Sequence, residues 1–141
     1  MHITFSTKDR YPFIKDEIQN ELYAYLSGIC KNLESYPLKI GGFKDHVHIL
    51  CLLSRKVALM KLVEELKSHS SKWIKTKGRA FEKFYWQNGY GGFSIGPREV
   101  DTVTDYIVNQ ESHHRKVSFK QEYLMFLKNY DVPYDDRYVW D

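Results

Sequence analysis

The chain has 141 residues, enough for one domain with its own core. Its formal charge of +3 permits a nucleic-acid partner without demanding one, and an aromatic content of 16% suits either a dense core or surfaces on which bases stack. No run of about 18 apolar residues exists and the start lacks a basic segment leading into an apolar one, so neither a membrane span nor a signal peptide is expected.

Cys30 and Cys51 show no Cys-x-x-Cys spacing and read as reduced, buried thiols of a cytoplasmic protein. There is no repeat, low-complexity segment or linker. His2 to Thr7 alternates and reads as a first strand. Asp16 to about Asn32 reads as a helix, with Ile18, Leu22, Tyr25, Leu26 and Ile29 on one stripe. Tyr36 to Gly42 is a second strand, with a turn or bulge at Gly41-Gly42. His46 to Leu53 is a third, rich in Val, Ile and Leu, and pairs with the second as a hairpin. In a strand, residues two apart share a face, so His46 and His48 project side by side. Two imidazoles on one rigid face make half of a metal site.

Val57 to about Lys75 is a second helix with Leu59, Leu62, Val63, Leu66 and Trp73 on its apolar face. Tyr90 to Ile95 contains a fourth strand. The Gly89 to Gly92 run has the wrong spacing for a phosphate cradle, and its glycines suit a bulge or turn. A third helix is expected from about Arg98 to Ser112, opened by Pro97 and Glu99. A short helix from Ser118 to Asn129 and an irregular stretch from Tyr130 to Asp141 complete the chain. The order β-α-β-β-α-β followed by helices is that of an α+β, ferredoxin-like split β-α-β unit, an antiparallel sheet with helices on one face plus C-terminal helices. The other face of such a sheet is open to a ligand or partner.

The third helix supplies a second half for the site. Tyr106 and Gln110 are four residues apart and share a helix face. A tyrosine can act as a covalent nucleophile, and an amide oxygen can join two imidazoles around a divalent ion. Each of these residues alone has a plainer reading, as a strand histidine, a satisfied helix tyrosine or a solvated glutamine; their combination points to a site. His113 and His114 read as polar residues suited to a helix C-terminus rather than as ligands.

His46-Val-His48 resembles the His-hydrophobic-His motif of the HUH nucleases, and Tyr106-Ile-Val-Asn-Gln110 resembles the tyrosine helix of the small single-tyrosine transposases of insertion sequences. The likeness extends to Thr7-Lys-Asp-Arg-Tyr-Pro-Phe13, Lys67-Ser-His-Ser-Ser-Lys-Trp73 and Trp86-Gln-Asn-Gly-Tyr-Gly-Gly-Phe-Ser94. It covers roughly residues 1–129, taken as the transposase domain, with 130–141 as a tail.

The resemblance implies His46, His48 and Gln110 as ligands of Mg2+ or Mn2+ and Tyr106 as nucleophile. It implies cleavage and rejoining of single-stranded DNA at hairpin-marked ends through a 5′-phosphotyrosine, by a homodimer whose subunits share their active sites. The absence of a Gly-x-x-x-x-Gly-Lys-Ser/Thr loop agrees, since such a linkage conserves the phosphodiester's energy. Lys8, Arg10, Lys67, Lys72 and Lys75 are expected backbone contacts. Two alternatives stay open on the same residues: a domesticated nuclease that processes repeated genomic hairpins, and a non-catalytic nucleic-acid-binding protein on this fold.

Overall fold

Alternation in the strands decides the architecture. In a computed structural model, which describes residues 1–135, 137, 139 and 140, strand β1 (His2–Ser6) pairs antiparallel with β3 (His46–Leu52), placing Ile3 opposite Ile49 and Phe5 opposite Val47. β2 (Tyr36–Phe43) flanks β3 and β4 (Gly91–Phe93) flanks β1, giving the order β2-β3-β1-β4, antiparallel throughout. This is the expected split β-α-β sheet.

Ile3, Phe5, Val47, Ile49 and Cys51 face helices α1 (Asp16–Asn32) and α2 (Leu59–Lys75). Leu22 and Leu26 of α1 and Leu62 and Leu66 of α2 close that core. Both cysteines are free and buried within it, as expected. Lys67 Nζ donates to the carbonyls of Gln87 at 2.8 Å and Gly89 at 2.5 Å, and the Trp86 indole donates to Ser70 Oγ at 2.9 Å. The two central motifs, one on α2 and one before β4, thus fasten to each other. No helix among the described residues is long and apolar enough to cross a membrane.

The second face of the sheet differs from expectation. It carries His2, Thr4 and Ser6 of β1 opposite Leu50, His48 and His46 of β3, and these residues are buried too. Helices α3 (Val100–Val108), α4 (Gln110–His114) and α5 (Phe119–Asn129) cover it. Two glycines permit the cover. A Cβ at Gly41 would stand 2.7 Å from Ile107 Cγ2 of α3, and one at Gly91 would stand 2.8 Å from the Tyr123 ring of α5.

The helix expected over 98–112 is broken. A 3-10 turn spans Pro97–Glu99, and α3 and α4 are divided at Asn109. Asn109 keeps the helical N–H bond to the Asp105 carbonyl and adds its side-chain amide to the same oxygen, a local side-chain bond at the point of the break. α5 starts on a capping box between Ser118 and Gln121. The described part of the tail folds back: Trp140 lies against Tyr123, beneath Arg10 and Lys120.

Candidate metal centre and tyrosine site

His46 and His48 stand on the second face of β3, with small neighbours opposite them except for Phe43 beside His46. Ser6 is opposite His46, and Thr4 and Gly41 are opposite His48 on either side. Both rings are fully buried. His46 Nδ1 donates to Asp45 Oδ1 at 2.7 Å, and His48 Nδ1 lies 2.9 Å from His2 Nε2. The Nε2 atoms of both rings therefore point to a common centre. Outer partners of this kind fix the orientation of a ligating imidazole.

Three further side chains enter that centre. Gln110, at the start of α4, brings its Oε1 2.9 Å from Nε2 of both His46 and His114. His114 Nδ1 donates to the Val117 carbonyl at 2.7 Å, turning its own Nε2 inward. Glu122 of α5, only 1% exposed, reaches His48 Nε2 at 2.9 Å with Oε1 and His114 Nε2 at 3.0 Å with Oε2. One ligand atom from each of His46, His48, His114 and Glu122 lies within 4.8 Å of the others. The donors fit a divalent ion: three imidazoles and a carboxylate, each ring held from behind.

Burial and charge set the protonation of this cluster. Burial pushes His48 down to about 4, against the pull of the Glu122 hydrogen bond, and pushes His2 down to about 3, helped by neighbouring His48. For Glu122, burial alone would raise the pKa; hydrogen bonds from His114 and His48 and the charges of His48 and His46 reverse this and hold it well below the usual carboxylate range. A neutral imidazole is the form that binds a metal, and an ionised carboxylate is its complement.

Tyr106, on α3, is half-buried, and its hydroxyl donates to Glu122 Oε2 and lies 3.2 Å from His113 Nε2. Its ring stands 5.8 Å from that of His48. Burial first, and then the Glu122 charge, push the phenol well above its ordinary value. In this arrangement Tyr106 is a protonated donor, and it gains nucleophilic character only when that environment changes.

All four residues expected from the sequence, His46, His48, Tyr106 and Gln110, thus come together, and they do so within one chain. Sequence reasoning missed Glu122 and set His114 aside. A signal for Glu122 was present: the Ser118-x-x-Gln121 box phases α5 so that Glu122 falls between Phe119 and Phe126 on the inward stripe, where a carboxylate needs partners. The expected DNA-contacting cations divide. Lys67 is committed to backbone carbonyls. Lys72 is exposed, Lys75 Nζ sits 4.2 Å over the Tyr85 ring, and Lys8 lines a groove of about 450 Å3 with Tyr11, Arg79, Lys83 and Tyr85. Arg10 is half-buried over Trp140.

Paired imidazoles on an antiparallel sheet thus stand beside a helix tyrosine and a buried carboxylate. Residues 1–110 match the family model described as "Transposase IS200 like". The chain belongs to the IS200-like transposase family, and its class is that of a DNA-cleaving enzyme. No curated protein matches it in sequence.

Two solved structures share the fold. One is a candidate transposase from Deinococcus radiodurans, 21% identical, with a TM-score of 0.61 over 77% of this chain and 88% of that one. The other is a REP-associated tyrosine transposase bound to a REP hairpin, 13% identical, with a TM-score of 0.61 over 82% of this chain and 68% of that one.

Proposed function

We propose that this transposase cleaves and rejoins single-stranded DNA at hairpin-marked ends, with Tyr106 as nucleophile and His46, His48 and Gln110 in the metal site. The observation that carries the reading is the convergence of the histidine pair, Tyr106 and Gln110 on one centre in a chain of this family. A divalent ion bound there supplies charge stabilisation to the scissile phosphate.

The residues do the rest. The Tyr106 oxygen attacks phosphorus, the bond from phosphorus to the 3′ oxygen breaks, and a 5′-phosphotyrosine and a free 3′-OH result. The proton that leaves the phenol equals the one the 3′ oxygen gains, so the step is proton-neutral overall. Attack by another 3′-OH reverses it and joins new ends. Around the cluster, Tyr106 and His113 are half-buried while His46, His48, Gln110 and Glu122 are buried. A phosphate therefore approaches on the tyrosine side, where the nucleophile stands. The groove holding Lys8, Arg79 and Lys83 beside exposed Tyr11 and Tyr85 offers cations for phosphates and rings for bases. The hairpin in the related solved complex agrees with a partner of this kind.

The decisive assay incubates the protein with single-stranded DNA carrying its own element ends and Mg2+ or Mn2+. A covalent protein–DNA adduct is expected, and Tyr106→Phe abolishes it while DNA binding persists. Cleavage by Tyr106→Phe refutes the assignment. Sharing of sites in a homodimer is tested by mixing His46→Ala with Tyr106→Phe subunits. Recovered adduct supports exchange of the tyrosine helix; no recovery after confirmed mixing leaves Tyr106 serving the histidines of its own chain.

A further inference from the structure

We propose that the metal is held by three imidazoles and a carboxylate, His46, His48, His114 and Glu122, so that the C-terminal segment completes the site and biases it toward transition-metal ions over Mg2+. The inference rests on the reading that His46 and His48 bind a metal. It goes further in naming two ligands beyond residue 110, outside the part of the chain that matches the family.

The orientation of the rings supports it. His46 faces an acceptor at both ring nitrogens: Asp45 Oδ1 at Nδ1, and Gln110 Oε1 with Glu122 Oε1 at Nε2, at 2.9 and 3.5 Å. His114 does the same, with the Val117 carbonyl at Nδ1, and Gln110 Oε1 at 2.9 Å and Glu122 Oε2 at 3.0 Å from Nε2. Nδ1 of each ring is taken up by its outer acceptor, so Nε2 is the ring atom that faces the cluster. Two buried Nε2 atoms and the oxygens of Gln110 and Glu122 thus converge on one point. A cation there is within reach of all of them. His48 adds a third inward Nε2, 2.9 Å from Glu122 Oε1.

The geometry of the ligand atoms agrees. Ligand bonds of about 2.1 Å place neighbouring donors about 3 to 3.5 Å apart. The four donors here lie within 4.8 Å of one another before any contraction. Each imidazole carries the outer partner that ligating histidines characteristically have: a carboxylate for His46, a backbone carbonyl for His114 and a second imidazole for His48. Gln110 keeps its amide oxygen within reach as a weaker, neutral donor. Nitrogen-rich donor sets favour Mn2+, Fe2+ or Zn2+ over Mg2+, which prefers oxygen ligands and retains its waters.

Binding is read by titration calorimetry with Mn2+ and Zn2+ on the metal-stripped full chain, and ligand identity by X-ray absorption on the Zn2+-loaded wild type. Three imidazole scatterers per ion are expected; two overturn the inference. Glu122→Gln, nearly isosteric, and His114→Asn are each expected to weaken Mn2+ binding tenfold or more, and Gln110→Ala less than either. Mn2+ is expected to outcompete equimolar Mg2+. If Glu122→Gln and His114→Asn bind within twofold of wild type while His46→Ala does not bind, the two C-terminal ligands are refuted and the histidine-pair reading survives. If His46→Ala also binds like wild type, both readings fall. Thermal midpoints of the metal-free variants establish that each is folded, and the wild-type scattering result stands whatever the variants do.

Discussion

Gly41→Ala tests how the sheet positions the tyrosine helix. Gly41 sits opposite His48, and α3 crosses directly over it. An added methyl would stand 2.7 Å from Ile107 Cγ2 and 3.0 Å from the Ile107 carbonyl oxygen, where ordinary contact begins at 3.4 Å. A rotamer change in Ile107 relieves the first clash but not the second, because the second is with backbone. The helix must therefore lift by roughly half an ångström, at an overpacking cost of about 1–3 kcal/mol. For a chain of this length that lowers the thermal midpoint by on the order of 5 °C. Tyr106 precedes Ile107, so its hydroxyl shifts against Glu122 and adduct formation slows. Gly28→Ala is the control: its added methyl meets nothing within 4 Å in the middle of α1, and it should stabilise by about 0.5–1 kcal/mol. Thermal denaturation and a single-turnover adduct assay measure both effects. An unchanged midpoint and rate in Gly41→Ala, with the control behaving as stated, would show that α3 does not rest on the sheet at this distance.

Acid should destabilise the metal-free protein. His48 at about 4 and His2 at about 3 lie below their ordinary 6.5, so the unfolded chain binds protons that the folded one refuses. Stability is then complete above pH 6.5 and falls as the pH drops toward 4, with His48 alone contributing on the order of 3 kcal/mol; a flat urea midpoint from pH 6.5 to 4.5 contradicts this. Lys67→Met should cost about 1–3 kcal/mol by stranding two carbonyls, yet leave the salt dependence of DNA binding unchanged. Lys72→Ala, at an exposed position, should do the reverse, sparing stability and lowering the salt slope by about one. Ser118→Ala removes half of the capping box and should cost about 1 kcal/mol in chemical denaturation. Because α5 carries Glu122, the same variant should weaken Mn2+ binding, whereas a cap substitution without that effect would separate helix stability from the metal site.

Much of the fold was readable because its signals are local. Alternation in His2–Ser6 and His46–Leu52, and the 3.6-residue stripe of α1, mark elements whose bounds agree with expectation to within a residue or two. The break at Asn109 was hidden, because Pro97 and the Tyr106/Gln110 spacing favour a continuous helix and only the actual backbone shows Asn109 capturing the Asp105 carbonyl. The break matters for the site. Gln110 opens a new helix, and its amide oxygen reaches both His46 and His114.

The second face of the sheet was the harder inference, and the reason lies in β3. His46-Val-His-Ile-Leu50 alternates, but both of its faces are buried, so alternation separated an apolar core from a polar one rather than inside from outside. A polar buried face must be satisfied, and no group on the neighbouring strands can do that alone: Thr4 spends its hydroxyl on the Val47 carbonyl, and His2 satisfies only the outer nitrogen of His48. The remaining inward nitrogens require a carboxylate or a cation from elsewhere in the chain. Gly41 and Gly91 leave room for the helices that bring one. A buried histidine pair in a sheet whose other strands carry glycines on the same face is thus itself a signal that a covering helix carries an acidic residue on its inner stripe. In this chain that residue is Glu122, and its hydrogen bond to Tyr106 ties the α3 tyrosine to the same cluster.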